Sequence, residues 1–233
     1  MVVSTTATLA EPGKLPRRPP SEAPPPGPEE LAAMAEGLGL VDRFEVVGQL
    51  GRGGMGVVLE ARDRRLGRDV AIKVLSGARM YDGVARARFE REARAAARLS
   101  DPSIVTVHEL ASTGDYMVME LVRGESLKDR LERGPLPPAE VRRVGAALCR
   151  ALSVAHAAGV IHRDVKPSNV LIDAAEGIRL ADFGIATFTD AELTVTGVTV
   201  GTPAYMAPEQ LRGGAVNARS DLYAVGATLF EAA

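Results

Sequence analysis

The most constraining feature of this chain is the sequence HRDVKPSN at residues 162–169, which is followed by DFG at residues 182–184. Asp164 is a carboxylate that can accept or orient the proton of an attacking hydroxyl group, and Lys166 can neutralise charge on a phosphoryl group. Asn169 and Asp182 offer the hard oxygen ligands that Mg²⁺ prefers. Each residue alone is a common turn residue between short strands. The ordered set instead favours phosphoryl transfer from a metal-bound nucleotide.

A second part of the site is predicted upstream, where residues 50–58 read LGRGGMGVV and match G-x-G-x-x-G-x-V. Glycine has no Cβ, so its backbone can fold closely over phosphate groups and direct N–H groups at them. A dinucleotide-binding loop would open a helix, whereas residues 57–60 read as a second strand. The pattern therefore predicts a glycine-rich hairpin over the phosphates, formed by Gly51, Arg52, Gly53, Gly54, Met55 and Gly56.

A lysine and a glutamate follow the hairpin at informative positions. Lys73 ends the apolar sequence VAIK, and Glu92 comes nineteen residues later in a segment whose apolar residues have helical spacing. Either residue alone would be interpreted as an ordinary surface side chain. Their order and spacing favour an ion pair that directs the Lys73 ammonium at nucleotide phosphates.

From about Phe44 to Ala233 the chain resembles the protein kinase superfamily. The resemblance rests on the glycine-rich hairpin, VAIK, Glu92, HRDVKPSN, DFG and the APE at residues 207–209. DVKPSN, GTPAY at residues 201–205 and GGMGVV in the hairpin resemble the bacterial members of the serine/threonine branch. The resemblance implies an α+β fold with a small antiparallel β lobe that carries one helix, and a larger, mainly helical lobe.

The resemblance also implies roles for individual residues. ATP would be the phosphate donor, with Mg²⁺ as the metal or Mn²⁺ in its place. Asp164, Lys166 and Asn169 would be catalytic, Lys73 held by Glu92 would anchor the phosphates, and Asn169 and Asp182 would bind the metal. Residues 120–122 would form the hinge whose backbone hydrogen-bonds adenine. The adenine slot would be lined by Leu50, Val58, Ala71, Met119, Glu120, Val122 and Leu171.

An activation segment is implied for residues 182–209. Arg163 lies beside Asp164, and in the family an arginine at this position binds a phosphate on the activation segment through charge-assisted hydrogen bonds. Thr194 and Thr196 are the predicted phosphosites because bacterial relatives carry a similar threonine pair. The alternative is a threonine-rich loop without modification.

The domain organisation follows from composition and from the resemblance. Eight of the fifteen prolines lie between Pro12 and Pro28, which predicts a disordered or polyproline-like extension over residues 1–40, with a short helix from Glu29 to Leu38. The small, nucleotide-binding lobe is predicted at residues 41–122. The large lobe is predicted from residue 123 to residue 233.

The chain ends twelve residues after Asp221, in a segment that resembles the start of the central helix of the large lobe. The resemblance implies that about the last quarter of the domain is absent. Glu209 would then lack its arginine partner, and one face of the Asp221 helix would be uncovered. An alternative function is therefore an inactive kinase-like scaffold or fragment that binds nucleotide. A small-molecule phosphotransferase is disfavoured because such relatives rarely carry a segment like residues 201–209.

Composition limits the remaining function classes. The net charge of −2 and the 4% aromatic content without tryptophan give no case for nucleic-acid binding. The single cysteine, Cys149, excludes an internal disulfide, fits a reducing cytoplasm and is expected to be buried in an apolar helix. No membrane span is predicted, because charged residues interrupt the apolar segment at residues 141–161. Composition thus favours a cytoplasmic protein. The kinase resemblance implies Ser- or Thr-bearing proteins as substrates, allows a homodimer, and allows membrane tethering only through a further region.

Overall fold

In a computed structural model, the described residues are 27–53, 56–75, 83–175, 177–183 and 203–233. The predicted phosphosites Thr194 and Thr196 lie outside these ranges, as do Gly54 and Met55 of the hairpin and Gly184 of the DFG sequence. The catalytic sequence at residues 162–169 and both predicted metal ligands lie within them.

The small lobe is a five-stranded antiparallel sheet with two helices. Its strands have the order β1-β2-β3-β5-β4, and Gly53 at the end of β1 pairs with Gly56 at the start of β2, which confirms the predicted glycine-rich hairpin. The elements are α1 Pro28–Gly37, β1 Phe44–Gly53, β2 Gly56–Asp63, β3 Arg68–Leu75, α2 Gly83–Ala96, β4 Val107–Leu110 and β5 Tyr116–Glu120.

Strand β3 divides the core of the small lobe between the two faces of the sheet. Side chains alternate along a strand, so Val70 and Ile72 pack in the cluster that α1 covers, whereas Ala71 packs with Phe89 of α2 in a second cluster. The same period of two puts Lys73 on the face of Ala71. The strand therefore carries Lys73 to the side of the sheet where α2 lies.

Helix α1 packs against the small lobe, so the packed part of the chain begins earlier than predicted. A helix was expected from Glu29 to Leu38, and the structure has one at Pro28–Gly37. Ala35 and Leu40 are buried against the sheet, because the helix and the turn after it cover apolar side chains of β1. The disordered extension predicted through residue 40 therefore extends too far, and the small lobe begins before residue 41.

The large lobe combines a small sheet with helices. The strands β6, β7 and β8 form an antiparallel sheet in that order. Its elements are β6 Gly124–Ser126, α3 Leu127–Leu131, α4 Pro138–Ala157, β7 Val170–Asp173, β8 Ile178–Leu180, α5 Pro208–Leu211 and α6 Ala218–Ala232. Helix α4 is the predicted core helix, since one stripe is buried: Val144, Leu148, Ala151, Leu152 and Ala155.

One expectation about the large lobe is wrong, and Glu209 has a contact that was not expected. Cys149 is exposed, because it comes one residue after the buried Leu148 and a helix turns by about 100° per residue. Glu209 has a partner, since its Oε1 accepts a hydrogen bond from Ser220 Oγ at 2.5 Å. That bond, with lesser contributions, lowers the pKa of Glu209. The first residues of α6 therefore do part of what was expected of an arginine.

Helix α6 exposes large apolar side chains, as was expected of the Asp221 helix. Leu222, Tyr223 and Phe230 are exposed, whereas Ala224 and Val225 are buried in the core of the large lobe. The core side of this helix thus packs against α4, and the opposite side faces solvent. Among the described helices, none is both long and apolar enough to cross a bilayer.

Candidate functional site

A cleft between the lobes holds a cavity of about 350 Å³, and the predicted adenine slot lines it. All seven residues of that slot are in its wall: Leu50, Val58, Ala71, Met119, Glu120, Val122 and Leu171. Sequence reasoning missed other parts of the wall, chiefly Val105, Ala181 and the polar residues Glu125, Ser126, Lys128, Asp129 and Ser168. Ser168 lies inside HRDVKPSN and Ala181 directly precedes DFG, whereas the others had no local signal.

The hinge is short because β5 ends at Glu120 and β6 begins at Gly124. The amide N–H of Glu120 donates to Thr106 O at 2.9 Å, which ties this end of the hinge to the residue before β4. At the other end, a Cβ on Gly124 would lie 1.9 Å from Ile172 O. Only glycine therefore allows β6 to approach β7 closely enough to complete this wall of the cavity.

The catalytic sequence forms a compact hydrogen-bonded group. Lys166 Nζ lies 2.7 Å from Asp164 Oδ2, and Asn169 Nδ2 donates to the same oxygen at 3.2 Å and to Asp164 O at 2.8 Å. Residues 167–169 form a 3-10 turn whose first residue is proline, which fixes φ there. The turn directs the Asn169 amide back toward Asp164. The structure thus brings the three predicted catalytic residues together.

His162 is a buried, neutral imidazole that contacts both this loop and the DFG sequence. Its Nδ1 accepts from the amide N–H of Asp164 at 3.2 Å, so that its Nε2–H donates to Ala181 O at 3.1 Å. Burial lowers the pKa of His162 despite nearby carboxylates. The ring packs against buried Phe183, with 4.6 Å between ring centroids. His162 therefore joins the catalytic loop to the DFG sequence.

Asp221 on α6 anchors the same loop by its backbone. Its carboxylate accepts from the amide of His162 at 2.9 Å and from the amide of Arg163 at 2.7 Å, and it contacts His156 Nε2 at 2.7 Å. Arg163 has φ of 69°, a left-handed conformation that costs a non-glycine residue free energy. The Asp221 hydrogen bonds offset that cost and hold the backbone just before Asp164. Sequence reasoning assigned Asp221 to a helix but not to this role.

Lys73 and Asp182 form an ion pair that the sequence had not predicted. Lys73 Nζ lies 2.9 Å from Asp182 Oδ1, and the lysine is buried. Burial alone would raise the pKa of Asp182, but the Lys73 ammonium, with smaller contributions from other neighbouring groups, offsets this effect and the pKa is lowered. Asp182 also has a left-handed backbone with φ of 55°. The pair keeps a carboxylate ionised at the wall of the cavity.

The predicted partner of Lys73, Glu92, lies within α2. Its side chain is outside the described part of the structure, so the Lys73–Glu92 ion pair stays a prediction. In the hairpin, Gly51 lines the cavity and Arg52 is exposed on β1. A Cβ on Gly56 would lie 1.8 Å from Val74 O. Gly56 is thus required by the packing of β2 on β3, a reason that differs from the phosphate contact expected of it.

The two predicted metal ligands are neighbours in the structure. The amide N–H of Ala181 donates to Asn169 O at 2.8 Å, which places Asn169 beside the residue preceding Asp182. Asn169 Nδ2 is held by Asp164, whereas its Oδ1 lies 3.5 Å from Ser168 Oγ. No group of three His, Cys, Asp or Glu side chains suited to a metal occurs among the described residues. An amide and a carboxylate oxygen fit Mg²⁺, which fills its remaining positions with water and phosphate oxygens.

Comparisons with known proteins agree with this geometry. The family model described as "Protein kinase domain" matches residues 44–233. Serine/threonine-protein kinase PknB of Mycobacterium leprae is 45% identical over 201 residues, covering 82% of this chain and 32% of the relative. PknL of Mycobacterium tuberculosis is 42% identical, covering 82% of this chain and 49% of the relative.

A solved structure, the kinase domain of Mycobacterium tuberculosis PknI, superposes with a TM-score of 0.67 at 34% identity, covering 81% of this chain and 73% of that one. The chain spans about a third of the length of the PknB relatives it matches. The two-lobed α+β fold and the bacterial serine/threonine kinase likeness expected from the sequence are thereby confirmed. The cleft, the catalytic loop and the match over residues 44–233 show that this chain belongs to the protein kinase domain family.

Proposed function

We propose that this chain transfers the γ-phosphoryl group of ATP to Ser or Thr hydroxyl groups of proteins. The observation that carries the proposal is the hydrogen-bonded group of Asp164, Lys166 and Asn169, next to a cavity wall that contains Asp182. Relatives named serine/threonine-protein kinases support the choice of acceptor. The family uses ATP with Mg²⁺.

The cavity suits a nucleotide in two ways. Its apolar wall, including Ala71, Met119 and Leu171, can enclose a flat ring, and the backbone of residues 120–122 can supply polar groups at the edge of that ring. Phosphates would then extend toward Lys73 and the glycine-rich hairpin. Mg²⁺ held by Asn169 and Asp182 would neutralise and orient those phosphates.

The catalytic loop can handle the proton and the developing charge. Both described contacts of the Asp164 carboxylate use Oδ2, so we assign Oδ1 to the incoming Ser or Thr hydroxyl group, whose proton it accepts. Lys166 already carries its ammonium beside this carboxylate and can donate to a phosphoryl oxygen in the transition state. Asn169 keeps Asp164 in place through two hydrogen bonds. We also propose that the chain autophosphorylates Thr194 or Thr196.

The test separates the enzyme from the inactive nucleotide-binding scaffold. We expect Mg²⁺ with ATP to raise the melting temperature of the purified chain and to give phosphate transfer to a mixture of Ser- and Thr-containing peptides. Asp164→Asn should retain the thermal shift and lose transfer by about a hundredfold or more. Asp42→Asn, an exposed aspartate in the turn before β1 and outside the cavity wall, is the matched control and should keep both. A thermal shift without transfer in the unmutated chain would favour the scaffold.

A further inference from the structure

Two residues, one at each end of the segment that joins the lobes, have their backbone in one lobe and their side chain bound to the other lobe. These residues are Arg123, just before β6, and Glu120, the last residue of β5. They are three positions apart, on opposite ends of the segment that lines the nucleotide cavity. They form three ion pairs, of Arg123 with Asp69 and Glu60 and of Glu120 with Arg179, which we call the hinge braces.

Arg123 belongs to the large lobe by its backbone. Its carbonyl oxygen accepts from the amide of Ala174 at 2.9 Å, in the turn between β7 and β8. Its guanidinium, however, reaches the small lobe, where Nη2 donates to Asp69 Oδ2 at 2.6 Å and Nη1 lies 3.6 Å from Glu60 Oε1. The Arg123 hydrogen bond is the largest cause that lowers the pKa of Asp69.

Glu120 has the opposite arrangement. Its backbone pairs with Val70 in β3, and its amide donates to Thr106 O. Its carboxylate Oε1 accepts from the Thr106 amide at 2.9 Å and lies 3.6 Å from Nε of Arg179, which comes from β8 of the large lobe. Arg179 in turn binds Asp173. The carboxylate of Glu120 thus meets a cation of the other lobe.

We propose that the hinge braces are positioning elements that hold the two lobes at the separation that binds nucleotide. This inference rests on the proposed function and adds a specific role for Arg123 and Arg179, residues outside the motifs of the catalytic site. A brace that favours the nucleotide-ready arrangement raises the fraction of binding-competent molecules, and hence the apparent affinity. It touches no reacting atom, so its loss should act on nucleotide affinity and not on the chemical step.

The chain offers a matched control for the Arg123 brace. Arg62 Nη1 also binds Asp69, at 3.0 Å to Oδ1, but Arg62 lies on β2 in the same lobe as Asp69. Arg62 and Arg123 side chains are similarly exposed, at 53% and 64%. Arg62→Gln therefore removes an ion pair from the same carboxylate without removing a connection between lobes.

The experiment measures the dissociation constant of a non-hydrolysable ATP analogue with Mg²⁺, and KM and kcat for ATP, in the 233-residue chain and its variants. Because exposed ion pairs contribute little, we expect Arg123→Gln to weaken analogue binding and raise KM by about two- to fivefold, with kcat unchanged. Arg123→Lys should restore much of the affinity, and 0.5 M salt should remove the difference between the unmutated chain and Arg123→Gln. Arg62→Gln should bind as the unmutated chain does.

A distance measurement tests the movement itself. Cys149 is exposed on α4 of the large lobe, and Val47 is exposed on β1 of the small lobe, so Val47→Cys gives a pair of sites for spin labels. The distribution of distances between the labels should broaden in Arg123→Gln and narrow again with nucleotide. Equal affinity and equal distributions in the Arg123→Gln and Arg62→Gln proteins would overturn the inference. Absence of analogue binding in the unmutated chain would instead overturn the proposed function.

Discussion

At the scale of single residues, Asn169 holds two roles that one substitution can separate. Its amide nitrogen binds Asp164, and its oxygen is assigned to the metal. Asn169→Asp keeps an oxygen ligand but replaces the donor with a carboxylate next to Asp164. We expect kcat to fall about ten- to a hundredfold, the effect of losing a hydrogen bond to a charged group, while the Mg²⁺ concentration needed for half-maximal activity does not rise.

The comparison that decides this assignment is Asn169→Ala, which removes both groups. It should lower kcat and also raise the Mg²⁺ requirement, as measured by titrating Mg²⁺ at fixed ATP. If Asn169→Ala leaves the Mg²⁺ requirement unchanged, the oxygen of Asn169 is not a metal ligand.

His162 makes stability depend on pH. Its pKa is lowered in the folded chain by burial, so the unfolded chain binds a proton more readily than the folded chain does. Stability from this group is fully present above the unfolded value of about 6.5 and is lost as pH falls below it, until the folded pKa is reached. Urea unfolding should therefore give a falling free energy of unfolding between pH 7.5 and pH 5.5.

The contribution of His162 to this pH dependence of stability is measured by replacing the residue. The slope of the free energy of unfolding against pH should become shallower in His162→Gln, whatever that variant's absolute stability. Partial desolvation and the nearby Arg68 also lower the pKa of His108, so His108→Gln serves as the comparison. It should remove a smaller part of the slope because His108 is exposed. An unchanged slope in His162→Gln would contradict the neutral imidazole.

At the scale of secondary structure elements, the glycine-rich hairpin contains glycines required for different reasons. A Cβ at position 56 would overlap Val74 O, whereas a Cβ at position 51 would meet nothing within 4 Å. We expect Gly56→Ala to lower the free energy of unfolding by about 1–3 kcal/mol through overpacking. Gly51→Ala, the matched control, should leave the melting temperature nearly unchanged. Equal melting temperatures for the two variants would mean that the β2–β3 packing tolerates a Cβ.

Helix α6 supports the catalytic loop through one side chain. Asp221 is buried and accepts two backbone hydrogen bonds from residues 162 and 163. Asp221→Ala leaves those donors without their acceptor, and we expect it to lower the free energy of unfolding by about 2–5 kcal/mol. Asp221→Asn keeps one acceptor oxygen and should lose less. Denaturant unfolding measures both, and the order of the two variants should be the same for kcat.

At the scale of the whole molecule, the motifs predicted what is local in sequence. Asp164, Lys166 and Asn169 lie within six residues, so their spacing nearly determines their contacts. The two-lobed fold followed from the resemblance over residues 44–233. The contacts of Lys73 with Asp182 and of Arg123 with Asp69 join residues 109 and 54 positions apart, and nothing in the local pattern marks either pair.

The errors have similar physical causes. Cys149 was expected inside because its neighbours are apolar, but a turn of 100° takes it off the buried stripe. The hydrogen bond from Ser220 to Glu209 was not anticipated, because it joins α6 to the residue that was expected only to lack an arginine. The extension was predicted from its prolines, and the packing of α1 on β1 depends on apolar residues after them. In each case the deciding information was which surfaces meet in three dimensions.

The most direct test of the central claim is the intact mass of the chain after incubation with Mg²⁺ and ATP, followed by localisation of each phosphate. We predict added phosphate on Thr194 or Thr196 of the unmutated chain and none in Asp164→Asn. A folded, nucleotide-stabilised chain that gains no mass and phosphorylates no Ser- or Thr-containing peptide would contradict the claim that this chain is a kinase.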